Sequence, residues 1–423
     1  MSGLAPRVYK PDITSETIPP VWEKYFSLLS KPGAAVFAFS GLLSRMPIAM
    51  HGIGLTLLVQ IQYDSYGLAG LAAAIYAGSW ALHSIPSARL TDRIGQRRAM
   101  IPLAVLSSIG VVTTITVALA QGPVWWVLMG AVASGFTGPL GSLSRARWSH
   151  LLTTDREIHT AFSLEGALDE ILFIGGPALV TVLAVSVWPP LGVIVSHAGF
   201  IIGLVIFLSQ RKTEPPARAS LGEKALGFAI PPAIWAVASI ALTIGLVFGA
   251  VDISVVAFAE EFGVKDKAGF ILAAIALGSL VGGLTYGAID WKASLRARVV
   301  GSAVLIASGF AVLALSPHPL VLAATGMIVG LSIAPAMAGI DNVVQRTVAP
   351  AQLTEGMAWL RIGLGIGVAV GAWSAGATID AGGARDGLYL TAIGGALVLV
   401  ASALAWRPLR QVATREDVAS TPR

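Results

Sequence analysis

Long apolar runs recur along the chain from about Gly33 to about Trp406. Each run holds roughly 20 residues, which as a helix spans the approximately 30 Å of hydrocarbon in a bilayer. Apolar residues make up 55% of the chain and charged residues 12%, whereas charged residues are about a quarter of a soluble domain. The sequence therefore predicts an all-α polytopic membrane protein.

Twelve transmembrane helices in two six-helix bundles are predicted. The helices are placed at roughly 34–62, 68–90, 98–120, 122–144, 158–184, 190–209, 230–258, 267–289, 298–316, 319–344, 354–379 and 387–406. The predicted segments are an N-terminal arm (1–33), an N-terminal bundle (34–209), a linker (210–229), a C-terminal bundle (230–406) and a tail (407–423). In the arm, residues 21–26 predict a short helix at the membrane interface, because aromatic side chains favour the headgroup level.

The distribution of basic residues supports the even helix count. Of the 28 Lys and Arg residues, the arm, the even-numbered loops and the tail hold all but five. Lys265, Lys267 and Arg385 lie in the other loops, and Arg45 and Arg361 lie within predicted helices. Because cytoplasmic loops are enriched in Lys and Arg, both termini are expected in the cytoplasm.

The two bundles are expected to be internal repeats of each other. The pattern Ala73-Ala74-Ile75 in predicted helix 2 recurs 200 residues later as Ala273-Ala274-Ile275 in predicted helix 8. A duplication of six helices is one known plan of secondary transporters.

The loop between predicted helices 2 and 3 carries the most specific motif. It contains Asp92, Arg93, Gly95, Arg97 and Arg98 between two long apolar runs. This order is similar to the Gly-x-x-x-Asp-Arg-x-Gly-Arg-Arg signature of the major facilitator superfamily. The twelve predicted helices and the six-plus-six repeat also resemble the architecture of that family. The chain departs from the signature at two positions, which are Ala88 and Gln96.

The resemblance implies that this loop is a cytoplasmic latch that stabilises the outward-facing state, formed here by Asp92, Arg93, Gly95 and Arg97. The alternative is that the arginines only set the topology.

Two further family patterns concern export. The helix 4 arginine of proton-coupled exporters is replaced by Ala131, and of the helix 5 antiporter motif only Gly176 and Pro177 are present.

Ionisable side chains lie inside several predicted spans, where they cost a few kcal/mol and usually face a cavity or each other. They are Arg45 in helix 1, Glu165, Asp169 and Glu170 in helix 5, Asp252 in helix 7 and Arg361 in helix 11. These six residues are the predicted proton-coupling and cavity residues. A static or solvated role is the alternative for Glu165, Asp252 and Arg361.

Arg45 and the helix 5 carboxylates are expected to meet. Both Arg45 and Asp169 lie about 16 Å inside their helices from the cytoplasmic side, given about 1.5 Å of rise per residue. The resemblance places helices 1 and 5 side by side. Such a pair would hold a carboxylate ionised until a proton or substrate competes for it.

The repeat also relates opposite charges in the two halves. An offset of 196 carries Glu165 to Arg361 and Arg145 to Asp341. We predict that ion pairs between the halves form in one transport state and break in the other, with Arg145 and Asp341 at the latch face.

Several function classes receive no support. The chain contains no cysteine, so thiol catalysis and disulfides are excluded. The glycines from Gly363 to Gly371 lie in a predicted span with no preceding strand, so they predict close helix packing and not a nucleotide loop. No enzymatic site, metal or cofactor is expected.

The sequence thus predicts a secondary active transporter that works by alternating access. The first choice is proton-coupled export of a drug-like molecule or metabolite. The alternatives are proton-coupled import of a sugar or similar nutrient, and a non-transporting assembly partner or sensor. The expected partners are a small-molecule substrate, protons or another ion and the lipid bilayer, and no nucleic acid. A monomer in the bacterial inner membrane is expected.

Overall fold

A computed structural model describes residues 21–217, 231–289, 291–348 and 353–409. Most of the predicted arm, linker and tail lies outside these residues, so the boundaries at 33, 229 and 407 stay predictions. Within the arm, residues 21–29 form the first helix, as the aromatic pattern predicts.

Every regular element of the described residues is a helix. The α-helices are α1 (Val21–Leu29), α2 (Ala34–Ser44), α3 (Met46–Tyr63), α4 (Tyr66–Ile94), α5 (Gln96–Leu119), α6 (Val124–Ser134), α7 (Leu140–Leu151), α8 (Asp155–Val182), α9 (Leu191–Ser209), α10 (Pro232–Glu261), α11 (Ala268–Ala288), α12 (Leu295–Ala314), α13 (Pro319–Gly330), α14 (Ile333–Thr347), α15 (Leu353–Gly382) and α16 (Ala384–Leu404). Eleven spans of the described residues are long and apolar enough to cross a membrane, and α6 is a shorter apolar helix.

Three predicted helices are interrupted, which the hydropathy pattern did not indicate. Helix 1 bends at Arg45 between α2 and α3, where Pro47 lies in the first turn of α3. Helix 4 is broken between α6 and α7, and helix 10 between α13 and α14. The offset of 196 carries Pro139, at the start of α7, to Pro335 in the first turn of α14. Because proline cannot donate a backbone hydrogen bond, it favours such breaks.

The two halves meet mainly through two helix pairs, α4 with α15 and α8 with α11. Small residues allow these backbones to approach closely. A side chain at Gly70 would collide with the backbone of Ala372, and one at Gly269 with the backbone of Pro177. Both predicted antiporter-like residues, Gly176 and Pro177, therefore lie in the stretch of α8 at the junction between the halves.

The glycine run of α15 packs on α10, as the spacing predicts. Side chains at Gly363, Gly367 and Gly371 would each meet a backbone carbonyl of α10. Gly365 faces Ala81 of α4 instead. The run therefore lets one helix contact both its own half and the other half.

The molecule has two distinguishable faces. The basic face carries the loop between α4 and α5 and the loop between α11 and α12. The opposite face carries the start of α4 and the end of α10. Gln60, Ser65, Tyr66 and Gly67 of the N-terminal half form hydrogen bonds with Glu260, Lys265 and Asp380 of the C-terminal half on the opposite face.

Candidate functional site

Arg45 lies at the break between α2 and α3, deep in the N-terminal half. Its side chain is 1% exposed, and its Nη1 lies 2.6 Å from Oε2 of Glu165. Its Nε lies 2.8 Å from Oδ1 of Asp169, and Nη1 also donates to Oγ of Ser144 at 3.2 Å. A guanidinium so far from water requires paired charges, and two carboxylates one helical turn apart provide them.

Glu165 has a further partner that the sequence reasoning missed. The Nε1 of Trp148 in α7 donates to Oε1 of Glu165 at 2.7 Å. The ring of Trp148 is fully buried and packs edge-on against Phe37, with ring centres 4.6 Å apart. The indication in the sequence was the position of Trp148, a bulky aromatic residue in the basic stretch just after predicted helix 4. A tryptophan there is expected to pack against neighbouring side chains.

The two carboxylates of this cluster differ in access. Glu165 is 1% exposed, whereas Asp169 is 28% exposed. The neighbouring Glu170 is half-buried and has no hydrogen bond or ion pair to another described residue. We call Arg45, Ser144, Trp148, Glu165 and Asp169 the Arg45 cluster.

The other predicted charged residues form no ion pair with the Arg45 cluster among the described residues, although Arg361 acts electrostatically on Asp169. In the C-terminal half, Arg361 lies 3.8 Å from Asp341. Arg145 acts electrostatically on both Asp169 and Asp341. In this structure neither Glu165 with Arg361 nor Arg145 with Asp341 forms an ion pair, because the close pairs of these groups are within each half.

Asp252 is partly buried in α10, nine residues before that helix ends at Glu261. It has no hydrogen bond or ion pair to the part of the chain that the structure describes. The structure therefore does not join Asp252 to the Arg45 cluster.

The predicted latch loop forms the tight junction between α4 and α5. Gly95 adopts φ 91°, a conformation that favours glycine. Arg93 and Arg97 are exposed, and the backbone N–H of Arg97 donates to Glu214 at 3.2 Å. Asp92 is also exposed.

Gln96, where the family signature has a basic residue, is buried in this junction. Its Oε1 accepts a hydrogen bond from Nε of Arg147 at 2.9 Å. Arg147 in turn donates to the carbonyl of Phe207 and to Thr213. The departure from the signature thus coincides with a buried arginine contributed by α7.

Two buried histidines are packed against aromatic rings. His51 lies 4.6 Å from the ring of Tyr76, and His83 lies 4.5 Å from the ring of Phe136.

At the entry of α8, outside the span, Lys31 lies 2.9 Å from Glu157. The hydrogen bond from Lys31, followed by that from Thr154, lowers the pKa of Glu157.

A second cluster, on the opposite face, joins the two halves and was not predicted. Asp380 of α15 accepts hydrogen bonds from Oγ of Ser65 at 2.8 Å and from the backbone N–H groups of Tyr66 and Gly67 at 2.8 and 2.7 Å. A carboxylate at a helix N-terminus satisfies free N–H groups and complements the helix dipole. Here the helix is in one half and the carboxylate in the other.

Glu260 of α10 forms the rest of this opposite-face cluster. It accepts hydrogen bonds from Tyr66, from Gln60 at 3.3 Å and from Lys265 at 2.8 Å. Lys265 also donates to Gln60. Gln60 and Glu260 are 200 residues apart, which is the offset that relates predicted helices 2 and 8. The predicted repeat would make them equivalent positions, and equivalent positions meet near the axis that relates two repeats, so this offset is the signal that could have identified the contact.

Among the described residues, no group of three or more His, Asp and Glu side chains could hold a metal ion. The charged residues that the structure describes form ion pairs within each half. Hydrogen bonds to Asp380 and Glu260 join the two halves on the opposite face.

Comparison with known proteins supports a transporter fold. The Major Facilitator Superfamily model matches residues 37–294 and 256–422. No curated protein matches the chain by sequence.

The solved structures that it resembles share its fold at low identity. A bacterial homologue of the human lysosomal transporter Spinster, in an inward-facing unoccupied conformation, has a TM-score of 0.64 at 14% identity over 94% of this chain and 98% of that one. A mutant of the nucleoside transporter NupG gives 0.64 at 15% identity over 88% and 99%. A bacterial homologue of the iron transporter ferroportin, in the inward-facing state, gives 0.66 at 16% over 89% and 98%.

Proposed function

Since the chain belongs to the major facilitator superfamily, we propose that this membrane transporter is a proton-coupled secondary transporter that exports a drug-like molecule or metabolite. It works by alternating access between the two halves, as a monomer in the bacterial inner membrane with both termini in the cytoplasm. The observation that carries the proposal is the Arg45 cluster, in which one buried guanidinium is shared by two carboxylates of unequal exposure.

The two carboxylates have different roles in this proposal. Glu165 is buried and held by both Trp148 and Arg45, so it is the fixed counter-ion of Arg45. Asp169 is partly exposed and exchanges a proton with water in the cavity. When Asp169 is protonated, its ion pair with Nε of Arg45 is lost and the net charge of the site rises by one. Arg45 still keeps Glu165 as a partner, so no buried charge is left unpaired.

The second element of the proposal is a two-state closure. On the opposite face, Asp380 caps the start of α4 and Glu260 is hydrogen-bonded to Gln60 and Tyr66, so the two halves are joined there. This distribution supports a conformer whose cavity opens toward the basic face, which we assign to the cytoplasm. In the other state the latch residues Asp92, Arg93, Gly95 and Arg97 close that face, and Arg145, Asp341, Glu165 and Arg361 exchange partners between the halves.

The cavity charges bear on the class of substrate. Arg45 and Arg361 oppose Glu165, Asp169, Glu170 and Asp252, and the sum is minus two when all are ionised. Including Arg145 and Asp341 leaves this sum unchanged, because their charges are opposite and cancel. A neutral or cationic substrate is therefore favoured over a multivalent anion.

Flux into proteoliposomes under an imposed pH gradient tests the proposal. A panel of cations, drugs and sugars identifies the substrate, and the sign of the gradient that drives accumulation separates export from import of a sugar or nutrient. A non-transporting sensor or assembly partner would give no flux with any of these compounds.

Two matched variants separate the roles of the carboxylates. Asp169→Asn is expected to abolish accumulation driven by the gradient but to retain exchange of substrate for substrate, because the protein still binds and alternates. Glu165→Gln is expected to lower stability, because it removes one partner of a buried pair at a cost of about 3–5 kcal/mol. Gradient-driven accumulation that survives in both Asp169→Asn and Glu170→Gln would refute coupling through α8.

A further inference from the structure

The loop between α11 and α12 is the repeat equivalent of the latch loop, but its chemistry is different. The latch is a junction of one residue, Gly95, between α4 and α5, whereas six residues, 289–294, separate α11 from α12. Asp92 lies in the last turn of α4, whereas Lys292 lies in the longer loop itself. The loop between α11 and α12 therefore differs from the latch loop in both geometry and charge.

The basic residues of this loop lack acidic partners in the described structure. Lys292, Arg296 and Arg298 have no carboxylate within ion-pair distance among the described residues, and Asp290 of the same loop is not among them. The Nε of Arg298 is buried without a hydrogen-bond partner. By contrast, the latch loop is contacted by Glu214 through the backbone of Arg97.

Aromatic rings hold these arginines in place. The guanidinium of Arg296 lies 3.7 Å from the ring centre of Trp406, a cation–π contact. Arg298 donates from Nη1 to the hydroxyl of Tyr286 at 3.0 Å. Trp291 donates from Nε1 to the carbonyl of Tyr286 at 2.9 Å. The positive charges are thus arranged in advance instead of being spread over flexible side chains.

The start of α12 adds to the same positive surface. The Oγ of Ser294 accepts a hydrogen bond from Ala297 at 3.3 Å, which satisfies one first-turn N–H group. The N–H groups of Leu295 and Arg296 have no partner among the described residues. A helix N-terminus beside three cations favours a phosphate group.

Apolar side chains beside the cations indicate what carries that phosphate. Trp291 and Trp406 are both exposed, as amphipathic rings at the headgroup level are. Ile289 is exposed at the end of α11, and Leu404 is 77% exposed at the end of α16. A free phosphate ion would gain nothing from these side chains, whereas the acyl chains of a lipid would cover them.

We propose that this basic-aromatic patch (Ile289, Trp291, Lys292, Arg296, Arg298, Leu404 and Trp406) binds an anionic phospholipid through the phosphate of its headgroup. The lipid would lie against the C-terminal half on the basic face, at the junction of α11, α12 and α16. This binding is independent of the cargo and of proton coupling.

Lipid retention by the full-length purified protein tests the proposal. The protein in neutral detergent is titrated with phosphatidylglycerol or with phosphatidylcholine, and bound lipid is counted by native mass spectrometry. The wild-type protein is expected to retain one phosphatidylglycerol and to show no comparable affinity for phosphatidylcholine.

Two double variants with the same loss of charge provide the comparison. Arg296→Gln with Arg298→Gln is expected to weaken phosphatidylglycerol binding by about thirtyfold, since each basic residue near the headgroup contributes about a factor of five. Arg93→Gln with Arg98→Gln, in the latch loop, is expected to leave the affinity unchanged. Trp406→Leu, which keeps every charge, is expected to weaken binding several-fold.

Four results would overturn the proposal. Equal weakening by the two double variants would mean that only net charge matters. Unchanged affinity in the variant with both Arg296 and Arg298 replaced would show that the basic-aromatic patch does not bind the lipid. Equal binding of phosphatidylcholine would exclude recognition of an anionic headgroup. Displacement of the lipid by an equal concentration of inorganic phosphate would indicate a small-anion site. Elution of each variant as a monodisperse peak separates lost binding from lost folding.

Discussion

At the scale of single residues, burial separates two carboxylates that the sequence presents as equals. Glu165 and Asp169 are one helical turn apart on α8, and both contact Arg45. Trp148 of α7 donates a hydrogen bond to the buried Glu165, whereas Asp169 stays 28% exposed. Trp148 is thus a positioning residue for the ion pair.

Replacement of Trp148 tests this role. Trp148→Phe keeps an aromatic ring beside Phe37 and removes the N–H that donates to Glu165. Because the lost hydrogen bond is to a buried charge, we expect the free energy of unfolding to fall by about 1.5–3 kcal/mol. Chemical denaturation in detergent measures it.

The control is Trp125→Phe, because Trp125 is exposed and contacts no charge in the described residues. It should change the free energy of unfolding by less than about 0.5 kcal/mol. Equal effects of the two substitutions would contradict a specific role of the Trp148 N–H group.

At the scale of elements, glycine positions determine how closely α4 and α15 approach. Gly70 and Gly376 lie where the two backbones touch, whereas Gly78 lies at ordinary distance, with its added Cβ 3.8 Å from that of Ala369. Backbone-to-backbone contact between the two helices at Gly70 and Gly376 thus lies toward the opposite face, where Asp380 also caps α4. Sterics and helix capping favour the same closed arrangement.

Gly70→Ala is expected to open the opposite face. The added Cβ meets the backbone of Ala372, and an overpacked contact costs about 1–3 kcal/mol. That penalty shifts a two-state equilibrium by about 5- to 150-fold toward the state in which the helices separate. Since the chain has no native cysteine, the readout is labelling of Ala73→Cys by an impermeant maleimide added from the opposite face.

Gly78→Ala is the matched control on the same helix and should leave this labelling unchanged. Identical labelling rates in the Gly70→Ala and Gly78→Ala backgrounds would show that the tight contact does not hold the closed state.

At the scale of the whole molecule, the charge distribution and the repeat act together. The basic residues define one face, and Gln60 and Glu260, which the predicted repeat relates, are hydrogen-bonded on the other face. The family match covers both halves. The fold is therefore that of a two-bundle transporter with ion pairs inside the halves and a closure between them.

The orientation in the membrane is a prediction of this arrangement. Ile94→Cys, in the latch junction, should react with an impermeant maleimide only from the cytoplasm, and Lys267→Cys only from outside, because basic loops are retained in the cytoplasm. Labelling in intact cells and in inverted membrane vesicles measures this. Reaction of both cysteines from the same side would contradict the topology.

Local sequence patterns by themselves determined that the chain is all-α with long apolar helices and which loops are basic, and they predict that the halves repeat. Those properties depend on composition within one span or loop, so hydropathy and charge reveal them. The sequence also predicted that Arg45 meets the α8 carboxylates, because depth follows from the rise per residue and the family resemblance places helices 1 and 5 side by side.

Only the tertiary structure decided the breaks in helices 1, 4 and 10, the contact of Trp148 with Glu165, the pairing of Arg361 with Asp341 within one half, and the closure by Asp380 and Glu260. Asp380 and Tyr66 are 314 residues apart, and no local pattern encodes a bond between such distant residues. These features depend on how packed helices place side chains beside one another, which is a property of the assembled fold.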